Sequence, residues 1–191
     1  MIGPMRHPDD ILDLFHRRGG LAYDGEGVTQ LQHAWQCARL AGQAYASPGL
    51  QLACWLHDLG HLISPLDGTP TLDGIDDGHE CVAARVIEPL FGADVAEPVA
   101  LHVAAKRYLV TTQPRYANLL SADSRRSLRL QGGLMTAQEA AAFIARPHAA
   151  DALRLRAWDE RAKLPDWRSA HGEAALSALE RLMHELRSVV N

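Results

Sequence analysis

His33, His57, Asp58, His79, His102 and Asp159 are the residues of this sequence best equipped to hold metal ions. From His33 the intervals are 24 residues to His57, 22 on to His79, 23 on to His102 and 57 on to Asp159. Imidazole and carboxylate without thiolate suit iron or manganese and also accept zinc. Intervals of this size put each ligand on its own helix, as expected where facing helices of a bundle each project one side chain inward. Neighbouring residues on a helix point about 100° apart, so His57 can face one metal while Asp58 turns toward a second and bridges the pair. On this pattern His33, His57, Asp58 and Asp159 complete one site, and Asp58, His79 and His102 the other. Each site keeps positions open for water, oxygen or substrate.

Single histidines on helices are more often structural or on the surface, and His7, His16, His148, His171 and His184 take that reading. The string from Ala53 to His61, ACWLHDLGH, differs because it places ionisable side chains at the end of an apolar segment. Buried without partners they would cost several kcal/mol, so a partner is required, and metal is the simplest one.

The elements that must position these residues are helical. Ala, Leu, Arg, Glu and Gln dominate at helical spacing, while runs alternating with period two are nearly absent. The sequence predicts an all-α chain with helices over 8–18, 28–46, 49–62, 78–91, 94–110, 115–129, 136–145, 147–162 and 171–189. Thr136 and Glu139 have capping-box spacing, Gln131-Gly132-Gly133 stops the helix before them, and Pro147 suits a first turn. Pro98 should make its helix start late or kink. The long irregular piece from Ser64 to Gly78 reads as a surface loop able to act as a lid. Its Asp73, Asp76 and Asp77 lack the spacing of a calcium loop.

The chain has 191 residues, 47% of them hydrophobic, which fits one domain spanning 1–191 with a real core. The formal net charge of −4 gives no positive excess for nucleic acid or an anionic membrane, so neither is expected as a partner. No apolar run approaches the ~18 residues of a spanning helix, and the amino terminus does not read as a secretion signal. Cys37, Cys54 and Cys81 are odd in number and form no CxxC pair, which fits a reducing compartment and a cytoplasmic protein.

With His33, the His57-Asp58 pair and the distant Asp159, the sequence resembles the HD-domain superfamily, whose members are helical bundles with a metal site in the core. Most are metal-dependent phosphohydrolases; the added His79 and His102 occur both in dinuclear phosphodiesterases and in a small branch of mixed-valent diiron oxygenases. Longer strings make the resemblance to phosphonate oxygenases of that branch: YDGE at 23–26 with QLQH at 30–33, LHDLGH at 56–61, HVAAKRYL at 102–109, 119–126 with QGG at 131–133, and RAWDE at 156–160. It runs from about Tyr23 to about Lys163.

The resemblance implies two iron ions, a mixed-valent Fe2+/Fe3+ pair, on the two ligand sets named above. It implies an organophosphonate and O2 as reactants: a 1-hydroxy-2-aminoethylphosphonate-type substrate would be cleaved at its carbon–phosphorus bond to phosphate and glycine, or an N-methylated glycine such as glycine betaine. His61, Lys106, Ser124 and Arg156 would grip the phosphonate. Tyr23 would fill an open metal position until substrate arrives, Glu26 would meet the substrate amine, and Asp58 would bridge the metals.

Spacing gives these assignments a physical check. His61 follows His57 by four, Lys106 follows His102 by four and Arg156 precedes Asp159 by three, so each should share a helix face with a ligand. Two cations and an imidazole would then converge beside the metals, as a dianionic phosphonate requires. The alternatives are a metal-dependent phosphohydrolase of a nucleotide or phosphate ester, needing the same ligands but no oxygen, and a metal-binding module without catalysis.

Overall fold

The structure is a computed structural model, described over residues 5–23, 26–64, 70–165 and 172–190. His171, Asp24 and Gly25 lie outside the described residues, as does 65–69 of the expected loop. Ten α-helices are found among the described residues: α1 Pro8–Arg18, α2 Gln30–Gln43, α3 Pro48–Leu56, α4 Leu59–Ile63, α5 His79–Phe91, α6 Ala93–Thr112, α7 Ala122–Leu130, α8 Ala137–Ile144, α9 Ala149–Asp159 and α10 Gly172–Val190. No helix is long and apolar enough to cross a membrane.

Local chemistry explains several boundaries. Thr136 and Glu139 form the expected capping box, with Glu139 N donating to Thr136 Oγ1 at 3.2 Å. Ser47 caps α3, which has Pro48 in its first turn. Thr29 and Gln32 form a second capping box, so α2 starts later than predicted. Val28 and Thr29 instead pair as a strand (β2) with Ala22–Tyr23 (β1), Tyr23 opposite Val28. Gly27, at φ 73°, supplies the left-handed turn residue that this hairpin needs.

Three expectations are corrected. The predicted helix over 49–62 is two helices, because the chain breaks at His57-Asp58, where Asp58 adopts φ −100° and ψ 14°. The predicted helix over 115–129 is a 3-10 turn at Tyr116–Asn118 followed by α7, whose start is capped by Ser121. α6 does not start late; it begins at Ala93 and carries Pro98 within it.

α3 is the central element. Leu52, Ala53, Cys54, Trp55 and Leu56 are all buried, which is possible only for a helix covered on every side. It packs against α2, α6, α9 and α10. The core around it takes Ile11 and Phe15 from α1, Ile87 from α5, Leu155 from α9 and Leu179 from α10, each burial of this kind contributing roughly 1.5–3 kcal/mol. Gly60 sets the spacing of α4 and α5: a methyl group there would collide with the His79 carbonyl. Only a side chain of one hydrogen lets the two helices approach so closely.

Candidate metal centre

The break between α3 and α4 is what turns the His57-Asp58 pair inward. His57 ends α3 and its Nδ1 donates to the Cys54 carbonyl at 2.9 Å. Asp58 sits at the start of α4. His33 comes from α2, His79 is the first residue of α5, His102 lies in the middle of α6 and Asp159 is the last residue of α9. All six side chains are buried. The expected set is therefore gathered, although the pair is separated by a helix break and not by the 100° turn of a continuous helix.

The two carboxylate oxygens of Asp58 face different groups. Oδ2 lies 3.5 Å from His33 Nε2 and 3.3 Å from His57 Nε2. Oδ1 lies 3.4 Å from His79 Nε2 and 3.8 Å from His102 Nε2. Asp159 Oδ1 joins the first group, 3.4 Å from His33 Nε2 and 3.8 Å from His57 Nε2, and that oxygen is buried without a hydrogen-bond partner.

Hydrogen bonding supplies a test of whether these residues fit metal ions. His33 Nδ1 donates to the Ala162 carbonyl at 2.9 Å and His102 Nδ1 to the Val99 carbonyl at 2.8 Å. A carbonyl only accepts, so in His33, His57 and His102 the proton sits on Nδ1 and the Nε2 lone pair points inward. His79 Nδ1 is held the same way by Asp77 Oδ1 at 2.9 Å. Nε2 atoms nevertheless face each other at 3.1 Å between His33 and His57, and at 3.2 Å between His79 and His102. Facing Nε2 atoms call for a cation between them, a proton or a metal ion, and these Nε2 atoms with the Asp58 and Asp159 oxygens are a donor set that first-row metals accept.

The carboxylates of the site draw in positive charge, which without a metal is a proton on His57. Burial pushes Asp58 and Asp159 toward the neutral form, but His57 beside Asp58, and Arg156 beside Asp159, hold both carboxyls well below the usual range. Burial opposes a charge on His57 too, yet the Asp58 carboxylate raises its pKa to about 10. His102 moves the other way, well below the ordinary value, through burial and the neighbouring imidazoles of His79 and His57.

Beside the ligands is a cleft of about 560 Å3, part of it open to solvent, lined among others by Tyr23, Asp58, His61, Lys106, Ser124 and Arg156. Lys106 lies one turn from His102 on α6, and its Nζ donates to Ser127 Oγ at 2.8 Å. Burial, then Arg156, lower its pKa to about 8. Arg156 is paired with Asp159 and Glu160, reaches Ser124 Oγ at 3.3 Å, and keeps a buried Nε without a partner. The Tyr23 ring stacks on His33 at 4.0 Å between centroids. Its hydroxyl meets Asp58, and burial with the Asp58 and Asp159 charges raises its pKa well above normal.

One placement differs from the reasoning that led to it. His61 reaches the cleft from the short α4, not along a helix shared with His57; its Nδ1 is 2.9 Å from Asp77 Oδ2 and its ring stacks on His79 at 4.1 Å. It also forms a possible ligand group with Asp58 and His79. Glu26 is paired with Lys163, its Oε1 3.4 Å from Nζ. Among the other histidines, His7 caps α1, His16 and His184 are exposed and His148 is half-buried.

Sequence reasoning missed the roles of Asp77, Ser127, Glu160 and Lys163. Asp77 clamps His61 and His79 together, and Thr71 of the same loop bonds Asp123 on α7, so residues 70–77 border the site directly. Glu160 and Lys163 were within reach of the helical spacing rule, standing four and seven residues after Arg156. Asp77 carried no such signal because its loop has no period.

The HD domain model matches residues 31–151. The chain is similar to a hydroxymethylphosphonate dioxygenase of Gimesia maris, 42% identical over 176 residues that span 89% of this chain and 87% of that protein. It is also similar to a [1-hydroxy-2-(trimethylamino)ethyl]phosphonate dioxygenase (glycine-betaine-forming) of Leisingera caerulea, 40% identical over 154 residues, 80% of this chain and 78% of the other. A third relative, the uncharacterized protein L432 of Acanthamoeba polyphaga mimivirus, is 36% identical over 162 residues, 84% of this chain and 74% of its own. With the model match covering well over half of the chain, and a His, a His-Asp pair and a distant Asp gathered in a helical core, this protein belongs to the HD-domain family.

Proposed function

We propose that this protein is an oxygenase that uses O2 to cleave the carbon–phosphorus bond of a 1-hydroxyphosphonate, releasing phosphate and a carboxylate. The observation that carries the reading is Asp58, whose two oxygens each face a separate pair of imidazoles while Lys106 and Arg156 line the adjoining cleft. Two iron ions, one among His33, His57, Asp58 and Asp159 and the other among Asp58, His79 and His102, would activate O2 as a mixed-valent pair. The remainder is done by this chain's own residues.

A dianionic phosphonate needs donors fixed in advance, and Arg156, Lys106, Ser124 and His61 offer a guanidinium, an ammonium, a hydroxyl and an imidazole. Gripping the phosphonate there turns the hydroxyl-bearing carbon toward Asp58. Tyr23 covers His33 and keeps bulk water off that face, and Asp77 fixes the imidazole of His79 through its Nδ1. Atom balance favours an oxygenase over a hydrolase. The carboxylate holds one oxygen more than the substrate carbon and the phosphate one more than the phosphonate, so a single O2 supplies both; one proton is released at neutral pH. Carbon has no leaving group in this bond, and oxidation at that carbon must come first.

The chain is read as one domain spanning 1–191, with α10 packed on α1 and α3, and the free cysteines suit the reducing cytoplasm. The test is phosphate release from hydroxyphosphonates with and without O2, alongside metal analysis. O2-dependent release with two irons per chain is expected. Oxygen-independent release from a phosphate ester, with none from a hydroxyphosphonate, would replace the reading with a phosphohydrolase.

A further inference from the structure

We infer that Ser127 is a positioning residue for phosphonate binding: its hydroxyl aims the Lys106 ammonium into the cleft and leaves that charge unneutralised for the dianion. The inference rests on the oxygenase reading and deepens it. A surface helix usually turns an apolar stripe inward, whereas the buried residues of α7 are Ser124 and Ser127. With the capping Ser121 they recur every third residue in the string SADSRRS at 121–127. Each of the three hydroxyls meets a cation. Ser121 Oγ and Ser124 Oγ each accept from Lys163 Nζ at 3.3 Å, Ser124 Oγ also accepts from Arg156 at 3.3 Å, and Ser127 Oγ accepts from Lys106 Nζ at 2.8 Å.

The three cations differ in what else holds them. Arg156 and Lys163 share Asp159, Glu160 and Glu26, three carboxylates for two cations, so that side has no net positive charge to offer. Lys106 has no carboxylate within ion-pair distance among the described residues. The carboxylates whose field reaches it are Asp159 and Asp58, both among the proposed metal ligands, and Asp123, which is bonded to Arg126 and Thr71. An ammonium has three N–H donors. Ser127 takes one, and the other two meet no protein acceptor among the described residues, although Lys106 is buried and lines the cleft. A buried charge with idle donors is costly until an anion completes it. Ser127 is fitted for the aiming: it also lines the cleft, and it donates its own proton to the Ser124 carbonyl at 3.2 Å, which leaves a lone pair for Nζ. A hydroxyl accepts from an ammonium without cancelling its charge. A carboxylate in its place would hold Lys106 as firmly and take the charge that the phosphonate needs.

The experiment uses the iron-loaded enzyme and the better substrate of hydroxymethylphosphonate and 2-amino-1-hydroxyethylphosphonate, measuring Kd by calorimetry without O2, and kcat and KM for phosphate release with it. Ser127→Ala should raise Kd and KM by about tenfold and leave kcat within about threefold, the pattern of lost ground-state binding. Ser127→Thr keeps the hydroxyl and should stay within about threefold of the wild type. Ser127→Asp should bind about a hundredfold more weakly than the wild type, and so worse than Ser127→Ala. A purely structural role predicts the reverse order, because Asp restores to Lys106 a hydrogen bond that Ala lacks; circular dichroism and denaturant unfolding follow the fold of each variant. Ser127→Asp binding better than Ser127→Ala, or Ser127→Ala keeping the wild-type Kd, overturns the inference while wild-type turnover leaves the oxygenase reading intact. A wild type that turns over neither phosphonate defeats the oxygenase reading and the inference with it.

Discussion

The ligand core and the cleft wall of this protein are held by different means. In the core, three of the four imidazoles are anchored by backbone carbonyls, those of Ala162, Cys54 and Val99. Those carbonyls belong to packed helices or their ends, so the inward lone pairs are as fixed as the fold itself. The wall is held by side chains: Lys106 on Ser127, and Arg156 on Asp159, Glu160 and Ser124, with Lys163 on Glu26 and Glu160 behind them. Side-chain pairs can be exchanged without moving a helix. The difference teaches why one metal-binding frame can serve several substrates: the ligands are tied to what cannot change, and the substrate contacts to what can.

His79 is the exception in the core, because a carboxylate from the loop holds its Nδ1. That makes it the place to break the comparison. The largest effect is expected from His102→Ala, whose partner ligands keep their backbone anchors: metal content should fall from two toward one per chain and turnover by about a thousandfold or more, with helicity retained. Metal analysis and oxygen uptake check this, and a turnover close to wild type would remove His102 from the ligand set. Asp77→Asn should cost about 10–100-fold in metal affinity, confined to the second ion, since it loosens a ligand without removing it; a metal titration that shows two unchanged binding steps would mean that the loop does not act as an anchor.

The wall should answer to pH where the core does not. Lys106 titrates at about 8 because burial and then Arg156 disfavour its charge. A lowered lysine pKa means the cation is present below that value and lost above it, so affinity for the phosphonate should fall as pH rises through about 8. Lys106→Ala should weaken binding by about 1–3 kcal/mol at neutral pH, and Lys106→Arg should flatten the alkaline limb. The smallest effect is expected from Gly60→Ala, read in stability: with the His79 carbonyl in the way, overpacking should cost about 1–3 kcal/mol in denaturant unfolding. A neutral result would show that α4 and α5 can part without cost.

Much of the frame was legible in the chain. Helical spacing and the Thr136–Glu139 box located α1 and α8 closely, and the regular intervals between histidines located five of the six proposed metal ligands on separate elements, with Asp58 beside His57. The break at His57-Asp58 was not legible, because ACWLHDLGH is continuous helix by local preference, and the close approach of Gly60 to His79 that accompanies the break is a tertiary contact. The hairpin holding Tyr23 was hidden as well, since each of its strands has two residues, too few to show a period.

What the amino-acid order determined by itself is the inventory and its rough placement: which residues can ligate, that each falls on a different helix, and that cations recur one turn from them. Periodicity is local and survives in one dimension. What tertiary structure alone decided is pairing: which imidazole faces which oxygen of Asp58, that Asp77 clamps two histidines, and that Lys163 takes Glu26 from 137 residues away. Such choices depend on distances of a few ångströms between segments remote in the chain, and those are fixed only when the helices pack.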